Sequence, residues 1–219
     1  MERQADMNGQ RMVSNRILII IVALFHFVGL IGFAIPALVP LFLQLVPFHL
    51  LLMLAVLLYS HESFSGKFLL FALLIFIAGF TAEWIGVHTG LLFGSYAYGK
   101  TLGTKVFDIP LMIGVNWLLL IYAAGTVLQH SGIKQPVVRI ALGAVVLVLL
   151  DYLIEPVAIL FDYWQWQSAG IPLKNYICWF LVSALMLAVF ELFLFKKQGF
   201  VGLALLIAQF VFFIVLRWV

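Results

Sequence analysis

Long apolar runs that do not alternate with polar residues leave few folds open to this chain. Between Ile17 and Trp218 seven such runs follow one another, each roughly 17–24 residues long, which as a helix crosses about 30 Å of hydrocarbon. A membrane barrel would instead show shorter strands alternating in hydrophobicity. Of the 219 residues, 65% are hydrophobic and 10% charged. A water-soluble fold of this length needs more polar surface than that, whereas in lipid each backbone polar group must be satisfied within the structure. The sequence therefore predicts an all-α, polytopic integral membrane helical bundle of about seven transmembrane helices.

The expected spans are Ile17–Ile35, Pro40–Tyr59, Lys67–Val87, Ile109–Leu128, Val137–Leu160, Asn175–Phe195 and Phe200–Trp218. Residues 1–16 form a polar segment ahead of a retained first helix rather than a cleaved signal, and residues 17–219 form one transmembrane domain. Two connections are long and aromatic, His88–Asp108 and the stretch FDYWQWQSAGIPLK. With seven spans, Arg3, Arg11, Arg16, Lys67, Lys134, Arg139, Lys196 and Lys197 fall on the N-terminal side, and Lys100, Lys105, Lys174 and Arg217 on the other. That excess predicts a cytoplasmic N-terminus, with both aromatic loops facing outward. Internal repeats of the kind found in inverted-repeat transporters are not evident. The net charge of +3 is scattered rather than gathered on one face, which argues against a nucleic-acid partner. Cys178 is the single cysteine, so neither an intrachain disulfide nor a thiolate metal cluster can form.

Four carboxylates, Glu83, Asp151, Glu155 and Glu191, fall inside expected spans, where an ionisable group demands a partner or a purpose. Glu191 lies near Lys196 and Lys197, and an interfacial ion pair with them is expected. Asp151 and Glu155 are four residues apart on one helix face. Two carboxylates that close in a low dielectric do not both ionise readily, so the pair can hold a proton suited to acid–base work. Glu83 and Glu155 both lie roughly 7–8 Å below the outer boundary, with Asp151 deeper.

Trp117, Trp164, Trp166 and Trp179 share that outer half, as do Asn116 and Asn175. Indoles at this depth commonly form an interfacial belt. Together with carboxylates and amides they also furnish what a carbocation needs: an acid, a counter-charge and aromatic faces. Of the five histidines, only His88 lies near the carboxylates, and none forms the clustered boxes of membrane di-iron oxygenases. His26 and His49 are a conceivable pair of haem ligands. The last helix carries no lysine for a retinal Schiff base, which removes a rhodopsin reading.

The stretch EWIGVHTGLLFGSYAYGKTLGTKVFDIPLMIGVN, closing on Trp117, and the stretches DYLIEPVAILFDYWQW and GIPLKNYICW resemble the membrane proteins of carotenoid biosynthesis that include carotenoid 1,2-hydratases and bisanhydrobacterioruberin hydratase. The resemblance spans roughly residues 80–180 and rests on Glu83, Thr89, Gly90, Phe93, Gly94, Tyr96, Tyr98, Pro110, Trp117, Asp151, Pro156, Trp164, Trp166, Pro172, Asn175 and Trp179. Glu155 stands before Pro156 where the family has Asp, so the acid reaches one methylene further, and the division of roles between Asp151 and Glu155 stays open. The resemblance implies a carotenoid substrate with an acyclic ψ-end, of the lycopene or γ-carotene type. It implies a hydro-lyase that needs no cofactor or metal and adds water across the terminal 1,2 double bond. Glu83, Asp151 and Glu155 are the expected catalytic acids and bases. His88, Thr89, Phe93, Tyr96, Tyr98, Asn116, Trp117, Trp164, Trp166, Asn175 and Trp179 are the expected substrate contacts. The expected setting is a prokaryotic cytoplasmic membrane, with other carotenoid-biosynthesis enzymes as potential partners. A lycopene-type cyclase, or a carrier or transporter of lipid or carotenoid, are the alternatives.

Overall fold

The computed structural model describes residues 2–62 and 64–219, with side chains from residue 14 onward. Arg3 and Arg11, which enter the charge asymmetry, lie outside the described side chains. Among the described residues seven helices follow in order: α1 (Glu2–Ala34), α2 (Val39–Ser60), α3 (Gly66–Thr89), α4 (Leu111–Gln129), α5 (Pro136–Leu160), α6 (Leu173–Leu192) and α7 (Val201–Leu216). Four very short strands, β1 (Tyr96–Tyr98), β2 (Lys105–Val106), β3 (Ile109–Pro110) and β4 (Trp164–Trp166), lie in the two aromatic connections.

Local chemistry sets the helix ends. Ser65 caps α3 by accepting from the Phe68 amide, and Gly90 closes it in the left-handed conformation at φ 63°. Proline occupies the first turns of α2 and α5, where its missing N–H costs nothing. Among the described residues six helices are long and apolar enough to cross a membrane, which makes this an integral membrane protein. The span expected at Phe200–Trp218 is shorter, sixteen residues in α7, or about 24 Å. Lys196 and Lys197 before it and Arg217 and Trp218 after it are anchors of the kind that let a short span reach both interfaces.

The outward faces carry bare Ile20, Leu73 and Leu185, each more than half exposed. In water such a surface would aggregate, whereas in lipid it is the expected boundary. Helix α4 is the exception, with 72% of its apolar window buried against 17–39% in the other five spans. It is the central post, touching α2, α3, α5, α6 and α7, while α1 packs along α7 and α5 along α6.

The ion pair expected between Glu191 and Lys196 or Lys197 does not form. Helix α6 ends at Leu192, and Leu194 adopts a left-handed φ of 46°, which turns the chain before the lysines. Arg139 of α5 takes their place, its Nε donating to Glu191 Oε1 at 2.8 Å and its Nη2 to Oε2 at 2.5 Å. A planar guanidinium matches both carboxylate oxygens at once, as an ammonium cannot. At the same end of the bundle the His61 ring meets the Tyr122 hydroxyl at 2.7 Å and stacks on Phe68. Burial lowers the His61 pKa to about 4, so the ring stays neutral.

Candidate active site

At the opposite end, β1 and β4 pair antiparallel, with Tyr96 opposite Trp166 and Tyr98 opposite Trp164. Side chains on a strand alternate between faces, so Tyr96, Tyr98, Trp164 and Trp166 share the face turned to the bundle while Ala97 and Gln165 point away. This ribbon roofs the outer ends of α3, α5 and α6.

Beneath it, Glu83 of α3 is buried and accepts from three donors. The Tyr96 and Tyr98 hydroxyls reach Oε2 at 2.5 and 2.6 Å, and the Trp117 indole reaches Oε1 at 3.0 Å. Burial, with the neighbouring Glu83 carboxylate, pushes both tyrosine pKa values well above their usual range, so the phenols remain donors. Glycine makes this geometry possible at two places. A Cβ at Gly86 would lie 2.6 Å from the Tyr96 hydroxyl, and one at Gly79 would lie 2.5 Å from the Trp117 side chain.

Glu155 of α5 is held in the same manner. The Trp164 and Trp166 indoles donate to Oε2 at 3.1 and 2.8 Å, and the Asn175 amide donates to Oε1 at 3.2 Å. The Asn175 amide also donates to Asp151 Oδ2 at 2.7 Å, so it bridges the two carboxyl groups that share a helix face. Asp151 is fully buried, and its Oδ1 has no partner. Among the described residues, no lysine or arginine forms a salt bridge with any of the three carboxyls.

Glu83 and Glu155 face one small cavity of about 30 Å³, also lined by Phe93, Tyr96, Tyr98, Asn116, Trp117, Trp164, Trp166, Asn175 and Trp179. Such a space is large enough for a water. Trp117 and Trp179 stack with ring centroids 4.3 Å apart, and Phe93 lies tilted over both. Phe93 holds a left-handed φ of 62°, a strained conformation of the sort that collects at functional sites.

The structure thus gathers most of the expected site residues and sets three apart. Asp151 lies behind Asn175 and does not line the cavity. His88 and Thr89 are exposed on the last turn of α3. The His88 ring stacks on Trp84 and lies 3.8 Å from Asp108, and Thr89 donates to the Ile85 carbonyl. Both side chains are on the turn that leaves the helix, outside the carboxylate pocket.

Sequence reasoning missed the larger space alongside. An apolar cavity of about 350 Å³ lies among α1, α2, α4 and α7, walled by residues such as Phe33, Phe42, Leu50, Ile154 and Phe213. Ile113, Asn116 and Trp164 line both this cavity and the carboxylate pocket, so the two share a wall. Phe25, Val28, Leu45 and Phe48 line it too and are themselves exposed on α1 and α2, which gives it a mouth toward lipid. His26 and His49 also lie on its wall, with ring centroids 4.8 Å apart and edge to face. Rings in direct contact leave no room for a macrocycle between them, so they do not form a bis-histidine haem site.

Residues 44–219 match the sequence family described as carotenoid biosynthesis protein. The chain belongs to that family. It is also similar to the bisanhydrobacterioruberin hydratase of Haloarcula japonica, at 27% identity over 124 residues, covering 53% of this chain and 42% of that protein. The chain therefore matches less than half the length of this curated relative. No solved structure matches it. Family membership gives the apolar cavity and the buried acids a common context, a membrane protein of carotenoid biosynthesis.

Proposed function

We propose that this protein is a carotenoid hydratase that adds water across the terminal 1,2 double bond of an acyclic ψ-end group. The observation that carries this reading is the water-sized pocket shared by Glu83 and Glu155, walled by stacked indoles and adjoining a lipid-open apolar cavity. The polyene enters between α1 and α2 and lies in the apolar cavity, and its branched end reaches past Asn116 and Trp164 to the carboxyls. The hydratase relative, named for a carotenoid of its own, supports the same class of reaction.

In the proposed reaction a carboxylic acid at Glu155 gives its proton to C2. The π-electron pair forms the new C–H bond, and C1 becomes a tertiary cation. The faces of Trp117 and Trp179 and the carboxylate of Glu83 stabilise that charge in a site with few competing waters. A water held against Asn116 bonds to C1 and releases a proton to a carboxylate, leaving a tertiary alcohol. Asn175 connects Asp151 to Glu155, so Asp151 acts through that amide and resupplies or positions the proton. Each step is proton transfer or water addition and is balanced without an electron donor or acceptor.

The basic asymmetry and a haloarchaeal relative support a prokaryotic cytoplasmic membrane, with residues 1–16 on the cytoplasmic side, residues 17–219 as one transmembrane domain and other carotenoid enzymes as neighbours. Turnover in heavy-oxygen water tests the chemistry. The label should enter the product hydroxyl. A product of unchanged mass would instead indicate cyclisation, and a bound but unmodified polyene would indicate a carrier.

A further inference from the structure

The apolar cavity has a polar spot that the reaction above does not use. Gln209 of α7 is more than nine-tenths buried, lines the cavity, and has no hydrogen-bond partner for its Oε1. His26 of α1 lines the same cavity, with its Nδ1 2.8 Å from the Val22 carbonyl. A carbonyl only accepts, so Nδ1 carries the proton and Nε2 is left as an acceptor. His49 of α2 packs edge-on against His26 and completes the cluster. The His26 ring packs edge-on against Phe212, one turn after Gln209 on α7, with centroids 5.9 Å apart, so both acceptors stand on neighbouring turns of the wall. A buried acceptor without a donor is unfavourable, and Gln209 Oε1 in an apolar cavity asks for an O–H.

The spot is also displaced from the acids. His26 and His49 lie roughly 12–15 Å below the outer ends of their helices, and Asn116 about 7–8 Å below the start of α4. They reach the cavity from α1 and α2, whereas the carboxylates stand on α3 and α5. A ligand whose end group sits at Glu155 would cross this spot part-way along its length.

We infer that His26, His49 and Gln209 form a hydroxyl-binding subsite, so that the preferred ligand is an isoprenoid already carrying a hydroxyl within one cavity length of its unsaturated end. The inference rests on the proposed function for the polyene's identity, but the subsite can be tested without turnover. The purified protein in lipid nanodiscs is unfolded thermally across a titration of farnesol or of farnesene, over the same range of mole fractions in the lipid. These two fifteen-carbon isoprenoids share the branched unsaturated end, and only farnesol bears the hydroxyl. Farnesol should reach the same stabilisation at roughly five- to tenfold lower mole fraction, the worth of one or two buried hydrogen bonds. In Gln209→Leu, and separately in His26→Phe, that ratio should fall toward one. Equal potency in the native protein, or a ratio that survives both substitutions, would overturn the subsite. Absence of hydration on both lycopene and an acyclic carotenoid bearing one hydroxyl, alongside a preserved farnesol preference, would count against the proposed reaction and leave the subsite standing.

Discussion

At the residue scale, Glu83, Asp151 and Glu155 are conspicuous in sequence because each interrupts an apolar run, and a carboxyl in hydrocarbon needs a reason. Their ranking is not conspicuous. Helical spacing places Asp151 and Glu155 on one face but says nothing of Asn175, which arrives from α6 and separates them functionally. The structure orders the outcomes of substitution. Glu155→Gln and Glu83→Gln should each lower turnover by about 10²- to 10⁴-fold, the range for removing a general acid or base, as read by product formation at matched protein levels. Asp151→Asn should cost less, because its carboxyl touches the reacting space only through Asn175. An Asp151→Asn loss equal to that of Glu155→Gln would place Asp151 in direct contact with the substrate. His61 gives a pH signature of its own. Its folded pKa of about 4 lies below its ordinary value of 6.5, so the folded state binds fewer protons between the two. Its contribution to stability is therefore complete above pH 6.5 and is lost as the pH falls toward 4. Melting temperature should drop over that window in the native protein, and less steeply in His61→Gln.

At the element scale, the seven apolar helices are readable from run length, as are the proline starts and the glycine stop of α3. The β1–β4 ribbon is not, because three-residue strands carry too little pattern. In retrospect the signal is the period-two repeat of Tyr96-Ala97-Tyr98 and Trp164-Gln165-Trp166, which on a strand puts four aromatics on one face. Those four supply four of the six donors aimed at Glu83 and Glu155. The ribbon's seating on α3 depends on Gly86. Gly86→Ala should displace the Tyr96 hydroxyl from Glu83 and cut turnover at least tenfold, with helical content by circular dichroism unchanged. The missed ion pair has a similar origin, since the left-handed Leu194 turn that removes Lys196 and Lys197 from Glu191 leaves no mark in hydropathy. Arg139→Leu should lower the melting temperature by exposing an unpaired Glu191. In a double-mutant cycle with Glu191→Leu, the second substitution should cost much less than it does alone.

At the scale of the whole molecule, a central α4 separates an acid pocket on the α3, α5 and α6 side from an apolar cavity toward α1, α2 and α7. Composition reveals the membrane and the family motifs locate the pocket, but the cavity is built from ordinary leucines and phenylalanines that no single run distinguishes. Under the proposed function, its mouth between Phe25 and Phe48 makes the bilayer the route of supply. Narrowing the mouth with Val28→Trp should raise the polyene concentration needed for half-maximal turnover more than it lowers the maximal rate. The central claim is that this arrangement adds water to a carotenoid end. The most direct measurement is to express the chain in a bacterium that accumulates lycopene, beside a Glu155→Gln culture, and analyse the pigments by liquid chromatography and mass spectrometry. The account predicts a product heavier by one water, with the chromophore unchanged, that disappears in the variant. Pigment of unchanged mass in the native culture, with the protein present in the membrane, would contradict it.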